Sequence, residues 1–210
     1  MKTVKIFSIL LIVISLAVSF WALPKMPDRI ASHWGIDGLA NGYSSKNFGL
    51  FLMPVVSVFM LLLFWFLPAI DPLKENIKKF QKEYNGFIFF MMLFLSVLHV
   101  STIVWNLGYR FNMSLVVPPL IGVLMIYCGY LLVKSKRNWF IGIRTPWTLS
   151  NDAVWEKTNT LGGKLFIASG LISFLSFFCP SFAFLFLLVP IIFSSVFSLV
   201  YSYVIWKKIK

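Results

Sequence analysis

The chain has 210 residues, of which 59% are hydrophobic and only 12% are charged, and its mean hydropathy is +0.85. Soluble domains carry about 25% charged residues, so this composition excludes an ordinary soluble enzyme or binding domain. The net charge of +12 would indicate nucleic acid as the partner of a soluble protein. Here Lys and Arg lie almost wholly between apolar segments, and we expect no direct binding of nucleic acid.

Apolar segments of membrane-spanning length recur along the whole chain. They occupy residues 6–23, 48–70, 86–107, 114–133, 164–179 and 183–206. Each is a continuous apolar run, which predicts helices rather than the alternating strands of a barrel. The first run is longer than the apolar core of a signal peptide, and we expect it to be retained. The sequence thus predicts an all-α fold, a polytopic membrane bundle of about six transmembrane helices.

Positive charge is distributed unequally between the segments that connect these spans. Fifteen of the 19 Lys and Arg residues lie in the two tails and in alternate loops, and four lie in the remaining loops. By the positive-inside rule, both termini are predicted to be cytoplasmic, in a cell (plasma) membrane whose lipid bilayer is the first partner of the chain. Cys128 and Cys179 both fall in apolar runs, so no disulfide framework is expected.

The N-terminal half, residues 1–85, is interpreted as a two-span module with a long outer loop, residues 24–47. Loops of this length and mixed composition are generally functional or flexible. Asp28, His33 and Asp37 have no specific metal-ligand spacing, so we expect neither a metal nor another cofactor. The second connection, residues 71–85, reads as a basic amphipathic helix lying on the cytoplasmic leaflet, with partner docking as the alternative.

The C-terminal part, residues 86–210, is interpreted as a four-span module. His99 is the one clear ionisable group inside a predicted span, and it is either a ligand contact or pH-sensitive group, or a neutral imidazole bonded to a neighbouring helix. Prolines predict kinks in spans 2, 4 and 6, at Pro54, Pro118, Pro119 and Pro190. Serines at four-residue spacing in spans 5 and 6 predict that these two spans pack closely, at Ser169, Ser173, Ser194, Ser198 and Ser202.

The loop of residues 138–164 is the segment richest in candidate functional residues. Gly142 permits a tight backbone path, Thr145 before Pro146 should be extended, and Ser150 or Asn151 can cap a following helix. Arg144 suits a phosphate or carboxylate, and Trp147 and Trp155 would hold it against the headgroup layer. The alternative is a purely structural element that leads into span 5.

The residues GIRTPWTL at 142–149, followed by Val154-Trp155, closely resemble the signature of the SdpI-type membrane immunity proteins. The segment LPKMPDRIASHWGIDG, followed by Lys46, is similar to the N-terminal module that many of those proteins carry. Three positions depart from the usual pattern and put a metal or proton role there in doubt: Gly35, Asn41 and Asn159.

The resemblance implies a non-enzymatic protein that protects a bacterial cell against a secreted, membrane-active peptide toxin. It also implies, on the cytoplasmic side, capture of a soluble transcriptional repressor. Candidate residues for partner binding in the signature segment, residues 138–155, are Asn138, Gly142, Arg144, Thr145, Pro146, Trp147, Thr148, Asp152 and Trp155. Candidate residues for sensing in the outer loop are Pro27, His33, Trp34, Gly38 and Lys46.

Two other function classes compete with this interpretation. A small transporter or flippase for an amphipathic substrate is suggested by the kinked spans and His99, but the spans lack the Asp and Glu residues that coupled transporters use. A membrane enzyme is disfavoured because the sequence contains no Ser-His-Asp order, no HExxH and no phosphate-binding glycine loop.

Overall fold

The computed structural model describes residues 2–209, and its helices follow the apolar segments. Within that range six helices are long and apolar enough to cross a membrane, which confirms the predicted all-α polytopic bundle. They are α1 (Lys2–Ala22), α2 (Lys46–Ile70), α4 (Gln81–Asn106), α5 (Val117–Lys134), α7 (Asp152–Ser173) and α8 (Ala183–Ile209). Short helices α3 (Lys74–Lys78) and α6 (Pro146–Ser150) lie in two of the connections. Six spans place Lys2 and Ile209 at one end of the bundle, called here the termini side.

The outer surface of the bundle is apolar along the lengths of the helices. Phe59 of α2 is 64% exposed, and Val196 of α8 is 58% exposed. Tryptophans paired with cations lie at the two ends, since the Lys25 ammonium is 3.4 Å from the ring centre of Trp21 and Lys5 is 5.3 Å from that of Trp65. An apolar band between aromatic belts is what a bilayer requires, and the chain is a multi-pass membrane protein.

The core of the termini side includes residues that the sequence suggested would face lipid. Ile77, Phe80 and Tyr84 are at most 2% exposed and pack with Ile12 and Leu61 of neighbouring helices. The single amphipathic helix expected over residues 71–85 is not formed, because the chain makes the five-residue α3, turns, and starts α4 at residue 81. Its apolar face is covered by the protein's own spans rather than by the membrane surface.

Glycines bring α5 and α7 into backbone contact. A Cβ atom on Gly129 would lie 2.4 Å from the carbonyl oxygen of Gly163, and one on Gly170 would lie 2.5 Å from that of Gly122. The two contacts are seven residues apart on each helix, so they repeat along one antiparallel seam. Spans 5 and 6 are also in contact, as the serine spacing predicted, through the hydroxyls of Ser169 and Ser194 at 2.8 Å.

Prolines within α2 free two carbonyl groups, and each is bonded by a hydroxyl of another helix. Pro54 has no N–H for the carbonyl of Leu50, which accepts from Ser19 Oγ at 2.7 Å. Pro68 likewise leaves the carbonyl of Phe64 to Tyr84 Oη, at 2.7 Å. The kink predicted in span 4 is wrong, because Pro118 and Pro119 lie in the first turn of α5, where a missing N–H costs no helical hydrogen bond.

The segment before α2 contains a β-hairpin, which the sequence reasoning did not foresee. Strands β1 (Arg29–Trp34) and β2 (Ala40–Ser45) pair antiparallel, with irregular register around His33. The Asn106 side chain at the end of α4 accepts from the N–H of Ala31 at 2.8 Å and donates to its carbonyl at 2.9 Å. The side-chain amide thus bonds the edge of β1 as a neighbouring strand would. This end of the bundle is called the hairpin side.

Candidate functional site

The signature loop on the termini side, residues 135–151, is ordered first by Asn138. Its side chain is fully buried and donates to the carbonyls of Lys136 and Ile141, at 2.8 and 2.7 Å. The Asn138 oxygen accepts from the N–H groups of Phe140 and Ile141, at 2.9 and 2.6 Å. Asn138 therefore satisfies four backbone groups and acts on the loop as a clamp, a role that makes it inaccessible to any partner.

The next turn is shaped by the contact of Gly142 with Trp155. Gly142 has φ +133°, and a Cβ there would lie 2.7 Å from the Trp155 ring. Trp155 is 1% exposed and donates from Nε1 to the carbonyl of Ser135 at 3.3 Å. Asn159, one turn further along α7, accepts from the N–H of Ile143 at 2.8 Å. Trp155 is thus the buried support of the loop, and its predicted role as a headgroup anchor is wrong.

Thr145 and Thr148 form a reciprocal capping box at the start of α6. The Thr148 N–H donates to Thr145 Oγ1 at 3.1 Å, and the Thr145 N–H donates to Thr148 Oγ1 at 2.8 Å. Thr145 also donates to Ser202 Oγ of α8 at 3.1 Å. The extended conformation expected before Pro146 is present, and so is the Asn151 cap of the following helix, which runs on without interruption as span 5.

Five of the predicted signature residues keep surface for a partner: Arg144, Pro146 and Asp152 are exposed, and Gly142 and Trp147 are half-buried. Arg144 donates from Nη1 to the carbonyl of Trp139 at 2.7 Å. Trp147 packs instead against Tyr203 of α8, with ring centres 5.0 Å apart. The two tryptophans that were predicted to hold Arg144 against the headgroup layer thus pack elsewhere, Trp147 on α8 and Trp155 in the core.

The signature loop is joined to the connection between α2 and α4 by residues that the sequence reasoning missed. Asp71, only 2% exposed, accepts from the N–H of Trp139 at 2.9 Å and from that of Leu73 at 2.7 Å. The Arg137 carbonyl accepts from the Asn76 side chain at 2.9 Å. Arg137 itself pairs with Asp152, with 2.7 Å between Nε and Oδ1. An acid placed directly after a span, before a proline, was the available signal for Asp71.

The outer-loop candidates divide in the same way into support and surface. Trp34 packs edge-on against Trp105, with ring centres 5.5 Å apart, and Gly38 adopts φ +76° against Asn112. Lys46 forms an ion pair with Asp28 at 3.0 Å, which closes the base of the hairpin. His33 bonds from Nδ1 to Asn41 Oδ1. His33 and Pro27 are exposed and remain available to a ligand.

Aliphatic and aromatic side chains project from the hairpin side without cover. Ile36 is 77% exposed, Leu39 is 65% exposed and Tyr43 is 53% exposed. Tyr109, in the connection between α4 and α5, is 73% exposed. Ile36 and Leu39 flank the hairpin turn, and we call this pair the hairpin tip.

His99 lies between α1, α2 and α4 and is 1% exposed. Its Nε2 is 2.9 Å from Ser19 Oγ and 3.2 Å from the carbonyl oxygen of Ser15, which can only accept. Nε2 therefore carries the proton, while Ser19 gives its own proton to Leu50. Nδ1 has no partner among the described residues, as suits the bare nitrogen of a neutral imidazole. The geometry favours the interpretation of His99 as a neutral imidazole that is hydrogen-bonded to a neighbouring helix.

Among residues 2–209, no three side chains of His, Cys, Asp or Glu are grouped so that they could hold a metal ion.

Comparison with known proteins gives two family matches. The model of the SdpI/YfhL protein family matches residues 134–202, and that of a domain of unknown function (DUF1648) matches residues 10–58. Immunity protein SdpI of Bacillus subtilis (strain 168) is 30% identical over 205 residues, which cover 97% of this chain and 96% of the relative. No solved structure matches. The first match includes the whole signature loop from residue 135, and the second includes both strands of the hairpin.

Proposed function

We propose a function from one premise: this chain belongs to the SdpI/YfhL protein family. On that premise it is a non-enzymatic membrane immunity protein, which gives its cell resistance to a secreted, membrane-active peptide toxin. The observation that carries this function is the full-length likeness to a relative that is named as an immunity protein. Both the hairpin and the signature loop fall inside that likeness.

The positive-inside rule supports an orientation with the termini side in the cytoplasm, since fifteen of the 19 Lys and Arg residues fall, by the sequence count, in the tails and loops assigned to that side. The hairpin side then faces the toxin. Membrane-active peptides carry an apolar face, and the hairpin tip offers them two exposed aliphatic side chains on the same side of the bundle as the exposed Tyr43 and Tyr109. His33 and Pro27 lie on the same hairpin and complete the sensing surface.

On the cytoplasmic side, the exposed members of the signature form the output surface. Arg144, Pro146 and Asp152 are exposed, and the loop that presents them is held by the buried side chains of Asn138 and Trp155. A soluble transcriptional repressor is the partner that we propose for this surface. The guanidinium of Arg144 has donors beyond the one bonded to Trp139, and these suit a carboxylate of the partner.

The immunity function is tested by survival of a sensitive bacterium that expresses the chain and is exposed to a panel of secreted membrane-active peptides. We expect protection by the wild type and its loss in the double variant Ile36→Ser, Leu39→Ser. Phe178→Ser is the matched control, since this side chain is 83% exposed in the connection between α7 and α8. Survival that is unchanged by correctly inserted wild-type protein would refute the immunity function.

The output surface is tested separately with Arg144→Ala, in a bacterium in which a fluorescently tagged repressor is recruited to the membrane upon toxin exposure. Recruitment should fail in this variant while the amount of inserted protein is unchanged. Lys157→Ala is the matched control. It removes an exposed cation of α7 and should leave recruitment intact. Loss of insertion in Arg144→Ala would assign this residue to the scaffold instead.

A further inference from the structure

An apolar groove lies between the helix pair α2 and α4 and the helix pair α5 and α7, beneath the signature loop. Its volume is about 310 Å³. Residues from four spans and the signature loop line it, among them Phe64, Tyr84, Cys128, Leu131, Ile143 and Phe166. The groove therefore exists only where α2 and α4 face α5 and α7.

The groove lies near the membrane surface, as its lining positions show. Phe64 is in the last two turns of α2, Tyr84 is in the first turn of α4, and Leu131 is in the last turn of α5. These are the ends of the helices on the termini side. An apolar space at this height is within reach of the acyl chains of the nearer leaflet.

A cation and a tryptophan flank the loop segment that lines the groove. The signature-loop residues 140–143 line the groove, and the hydrogen bond from Arg144 to the carbonyl of Trp139 spans them. Arg144 is exposed, and Trp139 is 51% exposed. Tryptophan prefers the headgroup layer, and the guanidinium matches the geometry of a phosphate.

We propose that this groove binds one anionic phospholipid of the leaflet on the termini side. One acyl chain occupies the space between the two helix pairs, and the headgroup phosphate lies against Arg144 and Trp139. The lipid then supports the four loop residues from below, in addition to the hydrogen bonds of Asn138 that already order the loop. Although Arg144 is shared with the proposed output surface, the site requires no partner protein and no toxin.

The test uses the full chain, reconstituted in vesicles of phosphatidylglycerol and phosphatidylcholine in equal amounts and then extracted in mild detergent. Native mass spectrometry should show one retained phosphatidylglycerol. Cys128→Phe fills the groove and should lower retention by about tenfold, since the exclusion of two methylene groups is enough for that factor. Cys179→Phe is the matched control, because Cys179 is exposed at the opposite end of the bundle.

Arg144→Gln separates the headgroup from the chain. This variant should still retain a phospholipid but lose the preference for phosphatidylglycerol over phosphatidylcholine. Equal retention in Cys128→Phe and the wild type would overturn the site in the groove, and an unchanged preference in Arg144→Gln would overturn the headgroup contact. A retained peptide in place of lipid would also overturn it.

A second measurement avoids the filled groove, in case Cys128→Phe does not fold. In the Cys179→Ser variant, Cys128 is the single thiol, and its alkylation by N-ethylmaleimide can be followed by mass. Adding phosphatidylglycerol to delipidated protein should slow this reaction several-fold, while phosphatidylcholine should slow it less. Equal rates with and without phosphatidylglycerol would refute occupancy of the groove. Neither measurement depends on immunity. Failure of the lipid proposal can therefore be distinguished from failure of the proposed immunity function.

Discussion

Replacing Tyr84 by phenylalanine removes one hydroxyl from the core and tests how α2 tolerates Pro68. Tyr84 is 2% exposed, and its hydroxyl donates to the carbonyl of Phe64 at 2.7 Å. That carbonyl has no helical donor, because the residue four positions later is Pro68. The substitution therefore leaves a buried acceptor without a partner.

The expected cost follows from that orphaned group. A buried acceptor that loses its partner costs about 1–3 kcal/mol, and hydrogen bonds between membrane helices reach about 1.7 kcal/mol. We expect Tyr84→Phe to lower the free energy of unfolding by about 1–2 kcal/mol in the wild-type background. In the Pro68→Ala background, the new N–H of residue 68 bonds the carbonyl, and the cost of Tyr84→Phe should fall by about 1 kcal/mol.

The assay is reversible unfolding in mixed micelles by increasing dodecyl sulfate, followed by circular dichroism, on the four proteins of the cycle. Tyr127→Phe is the control, because its hydroxyl bonds the carbonyl of Glu83 at 3.1 Å, inside α4, where the helix supplies its own N–H. It should cost less than Tyr84→Phe. An equal cost of Tyr84→Phe with proline and with alanine at position 68 would refute the reasoning.

Three further predictions address the helix seam, the hairpin and the buried histidine. Gly129→Ala places a Cβ 2.4 Å from the Gly163 carbonyl and should lower the free energy of unfolding by about 1–3 kcal/mol. Gly86→Ala meets only the movable Tyr127 side chain, and an equal loss there would contradict this explanation. Asn106→Asp removes the donor to the Ala31 carbonyl and should speed amide hydrogen exchange in β1; unchanged exchange would refute the strand-like role of Asn106. Nitrogen-15 NMR of His99 should show a protonated Nε2 and a bare Nδ1, whereas the opposite tautomer would contradict the assigned network.

The six spans could be predicted because their cause is local: a bilayer requires about 20 apolar residues in each helix. The hairpin was missed because neither strand shows clear apolar alternation, although Asp37-Gly38 in the connection between the strands is a turn signal. Besides its pairing with β2, β1 is held by the side chain of Asn106, which lies 75 residues further along the chain than Ala31. Such a distant partner leaves no trace in local periodicity.

Periodicity also could not tell which apolar surface covers a face. The spacing of Ile77, Phe80 and Tyr84 correctly indicated one buried face. A hydrophobic pattern is the same whether the face is covered by lipid or by a neighbouring helix, so it could not identify the cover. Trp155 was misplaced for a related reason, since an aromatic residue near a span end suits both a headgroup layer and a buried contact. Gly142 has no Cβ and therefore leaves room for the Trp155 ring. This contact, and the positive φ of Gly142, are visible only in three dimensions.

The two hydrogen bonds of Asp71 must form at different stages of chain synthesis. Its second backbone donor, the N–H of Trp139, is 68 residues further along the chain. When a ribosome has delivered α1 to α4, this carboxylate has its local bond to Leu73 but not the bond to Trp139. The second bond can form only after the polypeptide beyond α5 has been made. A nascent chain that stops before residue 139 therefore leaves Asp71 without its second donor.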